Sequence, residues 1–125
     1  MTQEDLVRPQ VDQFVLEEID SVPHLEALLL LWNNRPKQWS PEDMGRALYL
    51  TSEYTQPVLQ ELANRKLVSS EGGRYSYQSD PDRDIIIEAL DRLYRREIIR
   101  ISNMIHSKAS PAVRAFARAF RLKKD

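Results

Sequence analysis

Three carboxamides stand at four-residue steps, Gln56, Gln60 and Asn64, within the stretch "TSEYTQPVLQELANRKLV". On a helix that spacing places them in one row along one side. A carboxamide holds a donor and an acceptor side by side, so it can pair bidentately with the major-groove edge of adenine. Tyr54 opens the same run, and cations flank it: Arg46 before it, Arg65 and Lys66 at its end, Arg74 beyond. Arg35 and Lys37 add two more at the start of the region. Cations so placed can meet phosphates, which supply much of the affinity in such contacts. Glu53 opposes them, although it can accept from a cytosine amine or complement a helix dipole. The plainer reading of the row is a solvated helix face.

Catalytic chemistry finds no comparable foothold. His24 and His106 are the only histidines. His24 and Glu26 are two residues apart, on different sides of a helix, and make no metal pair. The neighbours Glu17 and Glu18, like Glu42 and Asp43, point apart and form no acid/base dyad. Gly72-Gly73 marks a turn without a phosphate-cradling pattern around it. The chain has no cysteine, which excludes disulfides, thiolate zinc sites and thiol catalysis. The reading is a protein that is no enzyme, with no catalytic residue, cofactor or metal.

The elements that must position the carboxamides can be read from caps and periodicity. Pro9 can open a first helix with Val11, Phe14, Val15 and Ile19 on one stripe. Ser21 and Pro23 start a second, in which "LEALLLLW" is apolar nearly all round and so belongs in the core. Ser40 and Pro41 start a third, with Met44, Ala47 and Leu48 facing inward. Thr51 or Ser52 caps the fourth, which holds the carboxamides and buries Tyr54, Val58, Leu59, Leu62 and Ala63. Pro57 lies past its first turn, so the helix either starts near Thr55 or begins distorted. "LV", Gly72-Gly73 and "RYSYQ" then read as a β-hairpin.

Asp80 and Pro81 start one long helix of roughly 27 residues, about 40 Å. Ile87, Leu90, Tyr94, Ile98, Ile101 and Ile105 recur on it at three- and four-residue steps. Such a helix exceeds what a small domain covers. It is expected to pack partly on the first helix and partly on its counterpart in a second chain, making a homodimer. Wholly intramolecular packing is the alternative. The organisation is thus a helix-turn-helix with its wing over 1–80, a dimerisation helix over 81–108 and a tail over 110–125.

The 125 residues suit one core, and no apolar run reaches the length of a membrane span. The first ten residues lack the basic and apolar pattern of a signal peptide, so a cytoplasmic setting is expected. Residues 1–107 hold 12 Lys and Arg against 18 Asp and Glu, a balance of −6, whereas residues 108–125 are +5. In that basic tail Val113, Phe116, Ala117 and Phe120 form one helical face and Arg114, Arg118 and Arg121 another. It suits docking in an apolar groove of this chain, of a second copy or of another protein.

The order of helices and wing resembles the winged helix-turn-helix regulators of bacteria, in the neighbourhood of the MarR and PadR groups. More narrowly, "IDSVPHLEALLLLW", the mid-chain helix-turn-helix and the closing "AVRAFARAFRLKKD" look like a group of uncharacterised bacterial winged-helix proteins. The resemblance implies a mainly α fold with a small hairpin wing and a cytoplasmic setting, and brings no catalytic residues or ligand. The expected function is a dimeric DNA-binding transcriptional regulator, with residues 52–66 in the major groove. The alternative is a non-catalytic protein-interaction module, in which the acidic body or the Phe116/Phe120 tail binds a partner.

Overall fold

The computed structural model describes residues 2–108; the expected tail contacts of Val113, Phe116 and Phe120 lie outside the described residues. Six helices and one hairpin follow in the order α1 (Gln3–Glu18), α2 (Val22–Asn33), α3 (Pro41–Leu48), α4 (Ser52–Asn64), β1 (Val68–Glu71), β2 (Arg74–Tyr77), α5 (Pro81–Arg96) and α6 (Ile98–Lys108). The fold is mainly helical, with a hairpin wing that follows four helices.

Helix α1 starts six residues earlier than Pro9 suggests. Thr2 caps it and Asp5 returns the bond to the Thr2 backbone, a reciprocal box that satisfies two end donors. Pro9 therefore lies inside the helix, where its exposed ring forfeits one backbone bond. Val11, Phe14 and Val15 form its buried side.

Helix α2 runs through the centre, burying seven of its twelve residues, among them Leu25, Leu28, Leu31 and Trp32. Ser21 caps it and Pro23 sits in its first turn, as expected. Ser40 caps α3 in the same way. Ala47, expected inward, is exposed; Gly45 faces the next helix instead. A Cβ on Gly45 would lie 2.6 Å from the Leu50 carbonyl oxygen and 3.2 Å from Thr55 Oγ1, so only glycine permits this crossing of α3 and α4. The turn between them passes through Tyr49 at φ +59°, a left-handed C-cap where glycine is usual.

β1 and β2 pair antiparallel from Val68 opposite Tyr77 to Glu71 opposite Arg74. Gly72 and Gly73, at φ +59° and +78°, make the two-residue turn that matches the twist of the strands. The segment between α2 and α3 adds an edge to this wing. Trp39 and Tyr75 exchange two backbone bonds of 2.7 and 2.8 Å.

The expected single helix over 81–108 is two helices. The chain leaves helical geometry at Glu97 (φ −129°, ψ 44°), and both halves pack on α1. Glu4, Arg8 and Asp12 stand at four-residue steps on α1 and pair in turn with Arg96, Glu97 and Arg100. Glu97 also accepts from Arg100 at 2.6 Å, and these guanidiniums hold its carboxyl below the usual range. Lys108 Nζ donates to the Val15 and Leu16 carbonyls, which close the last turn of α1. The bend wraps both halves around α1, and Ile87, Leu90, Tyr94, Ile101 and Ile105 are all buried within the one chain. Of the six residues expected at a dimer contact only Ile98 is exposed, beside Ile99.

Candidate nucleic-acid interface

Helix α4 begins at Ser52 despite Pro57. Thr51 Oγ1 accepts from the Tyr54 amide at 3.2 Å, and the Thr55 amide reaches the Thr51 carbonyl at 3.0 Å. The later start does not occur: the helix runs from Ser52 through Pro57 to Asn64, and Thr51 caps its first turn. Thr55, Val58, Leu59 and Leu62 are buried. Tyr54, counted above with the buried side, is instead half exposed. It opens the outer side, which carries Glu53, Gln56, Pro57, Gln60, Glu61 and Asn64.

The carboxamide row is held from the wing. Tyr75, its ring buried, sends its hydroxyl to α4: Gln56 Nε2 donates to it at 3.2 Å, and it donates to Gln60 Oε1 at 3.3 Å. Gln60 Nε2 donates to Asn64 Oδ1 at 3.1 Å. The three carboxamides thus form one chain of bonds along the exposed side, and each keeps capacity for a further donor or acceptor contact. Fixing their rotamers before any ligand arrives lowers the ordering cost of an encounter.

The cations are less free than their positions in the sequence suggest. Arg65 turns away from the row to the α1–α2 turn, donating to the Glu17 carbonyl at 3.1 Å and pairing with Glu18 and Asp20 at 3.3 and 3.1 Å. Arg46 pairs with Asp43 at 2.7 Å, and Arg74 approaches the other oxygen of the same carboxylate at 4.0 Å. Hydrogen bonds from Ser40, and then Arg46, keep the Asp43 carboxyl below the usual aspartate range. Asp43 therefore stays ionised and ties the wing to the start of α3. Lys66 is exposed, with a left-handed backbone (φ +63°) just past the end of α4. Lys37 lies 4.2 Å over the Trp39 ring, and Arg35 stacks 3.5 Å over Trp32.

The fold thus unites Gln56, Gln60 and Asn64 on one exposed side, with Tyr54 on the same helix and Arg46 and Arg74 joined through Asp43. It takes Arg65 elsewhere. Sequence reasoning missed Tyr75 as the anchor of the row, Asp43 as the shared counter-ion, and Tyr49, which is 95% exposed in the turn before α4. The alternation of Tyr75 and Tyr77 signalled burial, but which helix the hydroxyl would meet depends on tertiary packing. Compared with protein-family models, curated proteins and solved structures, the chain matches none. Among the described residues no helix is long and apolar enough to cross a membrane.

Proposed function

We propose that the chain is a sequence-reading DNA-binding protein, a regulator of transcription in the cytoplasm, with α4 laid in the major groove and the hairpin along the backbone. The observation that carries this reading is the carboxamide row, exposed, collinear and pre-oriented by Tyr75. Gln and Asn read adenine through paired donor and acceptor contacts, and such pairs discriminate by about 1–3 kcal/mol per base. Because Arg46 is held by Asp43 and Arg65 by Glu18 and Asp20, fewer cations are free for phosphate, and binding depends less on salt than it would with both released. A second copy would double the contacts. With the α5–α6 stripe buried, it would meet the chain through the exposed Ile98 and Ile99.

One observation favours the rival reading, a protein-interaction module. The described residues hold 13 Lys and Arg against 18 Asp and Glu, an acidic body whose arginines are largely paired internally. Selection of full-length protein on a random duplex library, followed by anisotropy at several salt concentrations, separates the two. Enrichment of adenine-bearing sites that Gln60→Ala abolishes supports the DNA reading. Absence of enrichment, with no binding even at low salt, overturns it in favour of a protein partner.

A further inference from the structure

His24 is almost fully buried, and its ring joins two parts of the chain that lie far apart in sequence. Nδ1 lies 2.5 Å from Ser21 Oγ, and Nε2 lies 2.6 Å from Glu61 Oε2 on α4. Asp20 completes the group: one ligand atom each from Asp20, His24 and Glu61 lies within 4.8 Å of the other two. We propose that Asp20, His24 and Glu61 form a binding site for a divalent transition-metal ion of the zinc class, with water in the fourth position. The proposal does not rest on the DNA reading.

Three features support it. The donor set, one imidazole and two carboxylates, suits zinc, whose bonds of about 2.0–2.2 Å place tetrahedral ligands about 3.4 Å apart. The His24–Glu61 separation would open slightly and that to Asp20 would close. Second, the imidazole is oriented from behind. With the metal on Nε2, the ring proton sits on Nδ1 and donates to Ser21 Oγ, the outer contact that fixes a ligating histidine. The serine hydroxyl is held in turn by its role as the cap of α2, where it accepts from the His24 amide at 3.3 Å. Third, the local charge fits a dication. Glu18, Asp20 and Glu61 bring three negative charges and Arg65 one positive, leaving −2 with His24 neutral. Arg65 keeps its bonds to Glu18 and the Glu17 carbonyl when Asp20 turns to the metal.

Binding there would clamp the last turns of α4 to the α1–α2 corner. The test is titration of the tag-free full chain with Co²⁺, read by visible absorption, and with Zn²⁺, read by calorimetry. One saturable equivalent with the strong visible bands of four-coordinate Co²⁺, displaced by Zn²⁺, is expected. Loss of an outer partner alone typically costs about 10- to 100-fold in metal affinity. Glu61→Gln and Asp20→Asn, both at exposed positions, should therefore each weaken binding at least about tenfold while the circular dichroism stays unchanged. His24→Gln should abolish it. Because that variant loses a buried ring, ring-nitrogen NMR of the wild type supplies a second measure, with the metal shifting His24 Nε2 and leaving His106 alone. No saturable binding, binding that both carboxamide variants retain in full, or a shift confined to His106 would overturn the proposal.

Discussion

Asp43→Asn is the substitution on which the DNA reading turns. The asparagine keeps the size of the side chain but removes the one carboxylate shared by Arg46 and Arg74. Each phosphate neutralised by a cation steepens the dependence of log K on log salt by about 0.9 and, relative to 1 M salt, adds about eightfold affinity at 0.1 M. Two released cations would add about sixtyfold. The geometry divides them unequally, because Arg46 is held at 2.7 Å whereas Arg74, at 4.0 Å, is at the limit of an ion pair and already available. The expected gain is therefore close to one contact: about eightfold tighter binding at 0.1 M salt and a slope steeper by about 0.9. Anisotropy of a selected duplex against wild type and variant measures both numbers. A wild type that binds, with a variant of unchanged slope and affinity, would refute the placing of Arg46 and Arg74 on the DNA backbone.

Gly45→Ala should cost about 1–3 kcal/mol, because its Cβ meets the Leu50 carbonyl at 2.6 Å; urea unfolding should show a lower midpoint at unchanged slope. Tyr49→Gly should raise stability by up to about 1 kcal/mol by relieving a left-handed tyrosine, read as a higher melting temperature. If Tyr49 also contacts a ligand, the same variant gains stability and loses binding. Acid should destabilise the fold. Burial pushes the Asp84 carboxyl up, but bonds from Ser79, Tyr77 and the Asp80 amide bring it below its usual 3.8, and Asp43 and Glu97 are lowered too. The stability from these depressed groups is present above about pH 4–5 and is lost as pH falls through their folded values. Asp84→Asn should flatten part of that loss in denaturant titrations between about pH 5 and 2.

The caps were the most legible part of the sequence. Ser21, Ser40 and Asp80 act over two or three residues, so local pattern was enough to place the starts of α2, α3 and α5, whereas Pro57 left the start of α4 open between Thr51 and Thr55. The Thr2–Asp5 box carries the same kind of signal but went unused, with Pro9 marking the expected start of α1. The bend at Glu97 was not legible: no proline or glycine marks it, and its arginine partner on α1 lies 89 residues away. The candidate interface divides along the same line. A four-residue step revealed the carboxamide row, whereas the commitment of Arg65 to Asp20, 45 residues earlier, follows only from packing. His24 shows the limit most plainly. Its sequence neighbour Glu26 offered nothing, and the carboxylate it meets is 37 residues away.

The clasp of α1 by α5 and α6 has a consequence for how the protein is made. A ribosome releases α1 first, but its partners Glu97, Arg100 and Lys108 follow 88 to 93 residues later. At about 5–20 residues per second that is roughly 4–19 s before these bonds can form. The winged portion can form in that interval from nearby contacts, but α1 cannot be seated. The nascent chain passes through a stage with a helix-turn-helix in place and a loose apolar helix beside it, a target for holding chaperones and for proteases. Synthesis that stops before α5 leaves the chain at that stage.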